Sequence, residues 1–339
     1  MGRDDIALAG ASKAASLARP IMSSAPQALP LRVLEHLGAN GTRVLAAGVF
    51  LGLAWPALAS WSAPLLAPSV FVLLTAALLR LDAGALRRQA ARPEAALLLV
   101  AWLLALSPAV TALAVARLSL PPGIATALVL MSAAPPIMSS IAFALMLGFD
   151  AALTTVATFL ATLLAPLVLP PVALWLLGLS LDIDATRFTV RLALLAGGAL
   201  AAALAIRAVV PRATLVANAT RIDGVAVLTM LVFAVAIMNG VTATLLARPG
   251  HVALVAAISF IAALAEQAAA LAAFWWRGRA SALAAAFCSG NRNLGLLLAA
   301  LGAGAEGDVA LYCAIGQLPI YILPWALRPL YRRLTAPSP

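Results

Sequence analysis

Two stretches of this 339-residue chain carry residue types that do chemistry. The first reads Met131-Ser-Ala-Ala-Pro-Pro-Ile-Met-Ser-Ser140. Its consecutive prolines, Pro135 and Pro136, remove two backbone donors and bar the preceding turn from regular helix. The second reads Phe287-Cys-Ser-Gly-Asn-Arg-Asn-Leu-Gly-Leu296, small and polar residues around one arginine inside an apolar run. Unwound backbone exposes carbonyls and amides that hydrocarbon cannot satisfy, so two such breaks predict one polar site near mid-membrane. Each helix portion after a break begins with free N–H groups and a positive dipole end, a seat for an anion. The candidate substrate contacts are therefore Pro135, Pro136, Met138, Ser139, Asn291, Arg292 and Asn293.

Charge inside the apolar runs is scarce. Of twelve acidic residues only Glu266 lies deep, and Arg292 is the one basic residue at comparable depth. A charge at the centre of a spanning helix costs about 2.5–3.5 kcal/mol on insertion scales. Two readings follow. In one, Glu266 and Arg292 pair and lock two spans together. In the other, Arg292 points at the binding site while Glu266 tunes its charge or carries a proton. Asn239 and Gln317 read as helix–helix hydrogen bonds. Cys288 and Cys313 read as free buried thiols, and His36 and His251 lie in terminal or loop regions. No metal-ligand cluster and no base beside a nucleophile stand out, so the chain is not expected to be an enzyme, and catalytic and metal residues are none.

The elements that must position these residues follow from composition. Apolar side chains make up 64% and charged ones 10%, which excludes a soluble domain, a disordered chain and a disulfide scaffold. At about 20 apolar residues per span, the chain offers ten segments: 43–60, 63–80, 95–116, 123–148, 151–179, 189–209, 224–246, 251–276, 281–303 and 307–328. They are long, rich in Ala and Leu and do not alternate, which excludes a barrel. The prolines at 166, 170 and 171 predict a kinked or broken fifth segment. Seventeen Lys and Arg fall on one side of this arrangement, and four (Arg117, Arg187, Arg191, Arg248) on the other. That bias predicts both termini in the cytoplasm of an integral membrane protein, here of a bacterial inner membrane. Juxtamembrane arginines also account for the net charge of +10, so nucleic acid is not an expected partner; the lipid bilayer is.

The expected fold is all-α and polytopic: about ten transmembrane helices as two inverted five-helix repeats, residues 43–179 and 187–330, with broken fourth and ninth helices. Residues 1–42 form a cytoplasmic segment, either amphipathic or disordered, and 331–339 a cytoplasmic tail.

The stretches 133–144, 149–167 and 289–296 resemble the bile acid:sodium symporter family, in span order across most of residues 43–330. The resemblance implies a panel and a core domain, with the fourth and ninth helices crossing at their breaks. It also implies an organic-anion substrate carried by alternating access. Ser140, Thr154 and Thr158 keep hydroxyls where that family coordinates sodium, and Asn293 keeps the motif asparagine. Ile141, Cys288 and Arg292 replace a ligand Asn, the shared ligand Glu and a ligand Gln, and Leu103 stands where the family has another Gln. The ion-coupling candidates are thus Ser140, Thr154, Thr158, Cys288 and Glu266, with either Na+ or H+ as coupling ion and no cofactor. The expected function is a secondary transporter of a small organic anion that works without sodium, Arg292 supplying the missing positive charge. The alternatives are a transport-inactive receptor or scaffold, a sodium-coupled symporter and an arsenite-type exporter. Substrate, direction and oligomeric state are left open.

Overall fold

A computed structural model describes residues 41–80, 84, 93–177, 184–302, 305 and 307–335 of the chain. The expected segment 1–42 falls outside it up to residue 40, and the tail outside it from residue 336. Among the described residues all regular structure is helical, apart from one isolated β-bridge.

The helices run α1 Gly41–Ala54, α2 Pro56–Ser62, α3 Leu66–Leu79, α4 Pro93–Ala101, α5 Ser107–Val115, α6 Pro122–Ala133, α7 Ser140–Leu147 and α8 Ala151–Leu177. They continue with α9 Ala185–Val209, α10 Arg212–Ala217, α11 Ala219–Ile237, α12 Val241–Ala247, α13 Pro249–Phe274 and α14 Arg279–Gly290. The last are α15 Leu294–Leu301, α16 Gly307–Ile315, α17 Gln317–Ala326 and α18 Arg328–Thr335. Among the described residues seven stretches are long and apolar enough to cross a membrane: Pro56–Leu79, Pro93–Val115, Ala151–Leu176, Ala185–Val209, Ala219–Ala247, Pro249–Arg277 and Gly307–Ala326. The protein is an all-helical, polytopic membrane protein.

Local sequence explains the boundaries. Proline opens α2, α6 and α13, where its missing N–H would have had no helical partner. Asp184 caps α9, its Oδ1 accepting from the amides of Thr186 (3.0 Å) and Arg187 (3.1 Å). Gly148 ends α7 in the left-handed region at φ 75°, which a side chain would disfavour.

Two expectations shift. The first inter-span turn was expected near 61–62, but helix resumes at Pro56 and the turn lies at Trp55. Of the two outcomes expected for the fifth segment, kinked or broken, the break is absent: α8 passes through Pro166, Pro170 and Pro171 as one helix. A proline costs its own donor and crowds one carbonyl, and a packed membrane helix tolerates that when neighbours absorb the strain.

The fourth and ninth predicted segments are interrupted, and alike. Each has twelve helical residues before its break (α6, α14) and eight after it (α7, α15). At 1.5 Å per residue these halves are about 18 and 12 Å long, so neither crosses a bilayer alone.

Helices α1–α3 and α9 pack with α11 or with one another, while α4–α8 and α13–α17 form a second packed group. The groups meet where α9 lies on α8 and α15 and where α3 lies on α15. Small residues permit the close approaches. A Cβ on Gly48 would come within 2.8 Å of Ala234 Cβ, and one on Gly52 within 2.9 Å of Met238 Cβ, so this Gly-x-x-x-Gly face seats α1 on α11.

Candidate functional site

The two breaks meet. Pro136 and Arg292 form an antiparallel bridge in which the Ile137 amide donates to Asn291 O (2.9 Å) and the Asn293 amide to Pro135 O (2.8 Å). This register suits the sequence, because the donors it needs belong to residues 137 and 293 and the two prolines supply only an acceptor. Each unwound segment thus satisfies the other, as hydrocarbon requires. Side chains finish the helix ends. Asn293 Oδ1 accepts from the Leu296 amide (2.9 Å), opening α15, and Asn291 Nδ2 donates to Phe287 O (2.9 Å), closing α14.

Behind the bridge lies the Arg292 guanidinium, 1% exposed and with every donor engaged. Nε donates to Ser289 O (2.7 Å) and Nη1 to Leu103 O (3.1 Å) and Ala134 O (3.0 Å). Nη2 donates to Ser107 Oγ (2.7 Å) and Glu266 Oε2 (3.3 Å). Five N–H groups meet five oxygens, the full capacity of the side chain.

The backbone acceptors have local causes. Residues Trp102–Leu106 form a π-helical turn, in which the Ser107 amide reaches back five residues to Trp102 O. The next amide in that register would bond Leu103 O, but residue 108 is proline, so this carbonyl is left for the guanidinium. Ala134, held extended before Pro135, likewise offers its carbonyl (ψ 146°).

Glu266 completes the network. Its carboxylate accepts from Ser107 Oγ (2.6 Å), Thr111 Oγ1 (2.7 Å) and Arg292. One turn before Glu266, a Cβ on Gly290 would come within 2.7 Å of Ala263 O, so α13 and α14 touch closely at the break. A cavity with room for about one water lies against Arg292, between Met131, Ser259, Ala263 and Tyr312. The polar groups of the two breaks therefore enclose little free space.

Apolar helices and paired breaks leave the lineage to be read from sequence likeness. Residues 67–248 match the profile of the sodium bile acid symporter family. The chain belongs to this family. It is accordingly a membrane transporter and not an enzyme. No curated protein matches the chain. The matched stretch carries the first break and ends before Glu266, Cys288 and Arg292, whose arrangement rests on the geometry above.

The residues singled out from the sequence divide into three places. Pro135, Pro136, Asn291 and Arg292 are buried in the crossing itself. Ser139 is exposed and Met138 and Asn293 half-buried, so these three mark an accessible flank, where the amides of Met138 and Ser139 have no backbone partner. Ser140, Thr154, Thr158 and Cys288 sit buried on α7, α8 and α14. There the Cys288 thiol lies beside Thr154 and Thr158, Thr154 Oγ1 donates to Asp150 O (2.9 Å), and the hydroxyls of Ser140 and Thr158 have no partner.

Three participants escaped the sequence reading: Ser107, Thr111 and the Leu103 carbonyl as an acceptor. The Ser107-Pro108 pair was the available signal, since a proline inside a span frees a carbonyl. His251, expected in a terminal or loop region, lies in the first turn of α13 and pairs its Nε2 with Asp308 Oδ1 (2.8 Å), joining α13 to α16. Gln317 bonds along its own turn, to Cys313 O (3.3 Å) and from the Tyr321 hydroxyl (3.1 Å), rather than across helices.

Proposed function

We propose that this transporter carries a small organic anion by alternating access, at the accessible flank of the crossing, without sodium. The observation that carries the reading is the guanidinium with five oxygen partners: it fills the kind of oxygen cage that a bound cation would otherwise occupy. The cation is covalently attached, so no sodium need be loaded from solution to place one at the crossing. An anion at the flank would meet the hydroxyl of Ser139, the side chains of Met138 and Asn293, and the free amides opening α7, with Arg292 behind the bridge providing the field. In this reading Pro135, Pro136 and Asn291 shape the crossing instead of touching the ligand.

The matched lengths of α6–α7 and α14–α15 support two inverted five-helix halves, 43–179 and 187–330, moving as a core against a panel. The arginine count supports cytoplasmic termini in a bacterial inner membrane. Sodium is a hard cation that wants oxygen, and Cys288 offers sulfur where the family resemblance expects a carboxylate.

A second reading, sodium-coupled symport, is favoured by the unpartnered hydroxyls of Ser140 and Thr158, which are oxygen ligands in waiting. Proteoliposomes separate the two. Counterflow of organic anions is measured with all sodium replaced by choline. Rates within about twofold of the sodium buffer are expected, and a full loss in choline establishes the symport reading instead. Absence of counterflow for every anion in either buffer ends the carrier reading.

A further inference from the structure

Glu266 is the one carboxylate among the described residues that lies away from a helix end. Among these residues it is also the only ionisable group bonded to Arg292, and it is more exposed than the guanidinium, at 7% against 1%. The other guanidinium partners are neutral: three backbone carbonyls and the Ser107 hydroxyl. The charge presented by the crossing therefore depends on one proton. With Glu266 ionised, the pair is neutral overall. With Glu266 protonated, the guanidinium keeps its charge, because it does not titrate, and the crossing gains one net positive charge.

We propose that Glu266 couples anion transport to a proton, one proton carried with each monoanion. This rests on the carrier reading above and specifies its coupling ion. An anion beside the crossing binds more tightly when Glu266 is protonated. By reciprocity the bound anion raises the proton affinity of Glu266 by the same factor. The proton is taken from water on one face and returned to water on the other, so no other reactant is needed. The surroundings accept either state. Ser107 and Thr111 donate to the carboxylate now, and a hydroxyl can equally accept from a carboxylic acid after rotation. Thr111 is half-buried and bonds Oε1, the oxygen that does not face Arg292.

The other titratable groups around Glu266 leave it this role. Helix α14 and its break bring Arg292 and Cys288, α16 brings Tyr312 and Cys313, α17 brings Tyr321, and α18 brings Tyr331, bonded to Gln267. Helices α5 and α6 bring none. Tyrosines and buried thiols stay neutral at physiological pH, so Arg292 and Glu266 alone set the charge.

The test uses full-length protein in sodium-free proteoliposomes with membrane potential clamped at zero. Benzenesulfonate and methanesulfonate serve as probes beside benzoate, because sulfonates stay ionised and cross no bilayer as free acids. Counterflow at equal pH reports the carrier, and accumulation under an inward gradient of one pH unit reports coupling. Wild type is expected to accumulate a carried sulfonate about tenfold, matching the proton ratio. Glu266→Gln, with its counterflow measured alongside, is expected to lose accumulation, and Glu266→Asp to restore part of it. Counterflow without accumulation in wild type, or accumulation that survives Glu266→Gln, overturns proton coupling and leaves the carrier reading standing. Should Glu266→Gln fail to fold, wild-type accumulation with alkalinisation of the external medium during uptake decides the matter alone. No counterflow of any probe overturns the carrier reading and this coupling with it.

Discussion

Replacing Arg292 with glutamine is the most demanding perturbation of the crossing. The substitution removes a buried cation whose five donors serve Ser289 O, Leu103 O, Ala134 O, Ser107 Oγ and Glu266 Oε2. Hydrogen bonds to a charged group are worth about 1.5–3 kcal/mol each, but they are not additive within one network. Removing one partner of a buried ion pair typically costs about 3–5 kcal/mol, because the other charge is left without compensation. Arg292→Gln is thus expected to lose about 3–5 kcal/mol of unfolding free energy. Arg292→Lys keeps the charge with three donors in place of five, and is expected to lose about half as much. Pairing Arg292→Gln with Glu266→Gln removes the stranded carboxylate, and a coupling energy of about 2 kcal/mol between the two sites is expected. The assay is reversible denaturation of the purified protein in mixed micelles, with all four members of the cycle compared at one pH. Additive losses, or an Arg292→Gln variant within about 0.5 kcal/mol of wild type, would refute the claim that this pair is dry and closely coupled.

Two further perturbations probe the frame around the site. Gly290→Ala puts a methyl within 2.7 Å of Ala263 O, so α13 and α14 must part, with an expected loss of about 1–3 kcal/mol readable as a lower Tm. Tyr331→Phe deletes the hydroxyl that donates to Gln267 Oε1, leaving that amide buried with no partner for its Nε2 either. A loss of about 1–3 kcal/mol is expected, and since Phe149 and Phe287 pack on the same ring, with Phe143 against Phe287, packing there should survive. Limited proteolysis of α18 reports it: faster cleavage in the variant supports the bond as an anchor, and unchanged cleavage contradicts it.

Much of the architecture was readable in advance because it depends on local physics. Long apolar runs must become helices in lipid, since only a helix satisfies its own backbone there. Pro135-Pro136 and the polar run at 288–293 had to interrupt two of them, and the structure interrupts both with equal helix lengths on either side. The depth of Glu266 and Arg292 was equally plain, since one charge among apolar neighbours stands out in any window. Trp55 and the prolines of α8 show the limit of this reasoning: turn positions and helix continuity depend on neighbours that absorb a lost hydrogen bond.

Residue types alone determined that this chain lives in a bilayer, that two of its helices break, and that one acid and one base lie deep within it. Which way the arginine faces was decided only by the tertiary structure. Its partners Leu103 and Ala134 lie 189 and 158 residues away in sequence, and their carbonyls accept only because a π-turn before Pro108 and an extended residue before Pro135 leave them free. Ser107 and Thr111 look like ordinary hydroxyls in an apolar helix until α13 is packed beside them. A hydrogen-bond network closes through space, and spacing along one chain does not say which distant oxygen will stand opposite a given donor.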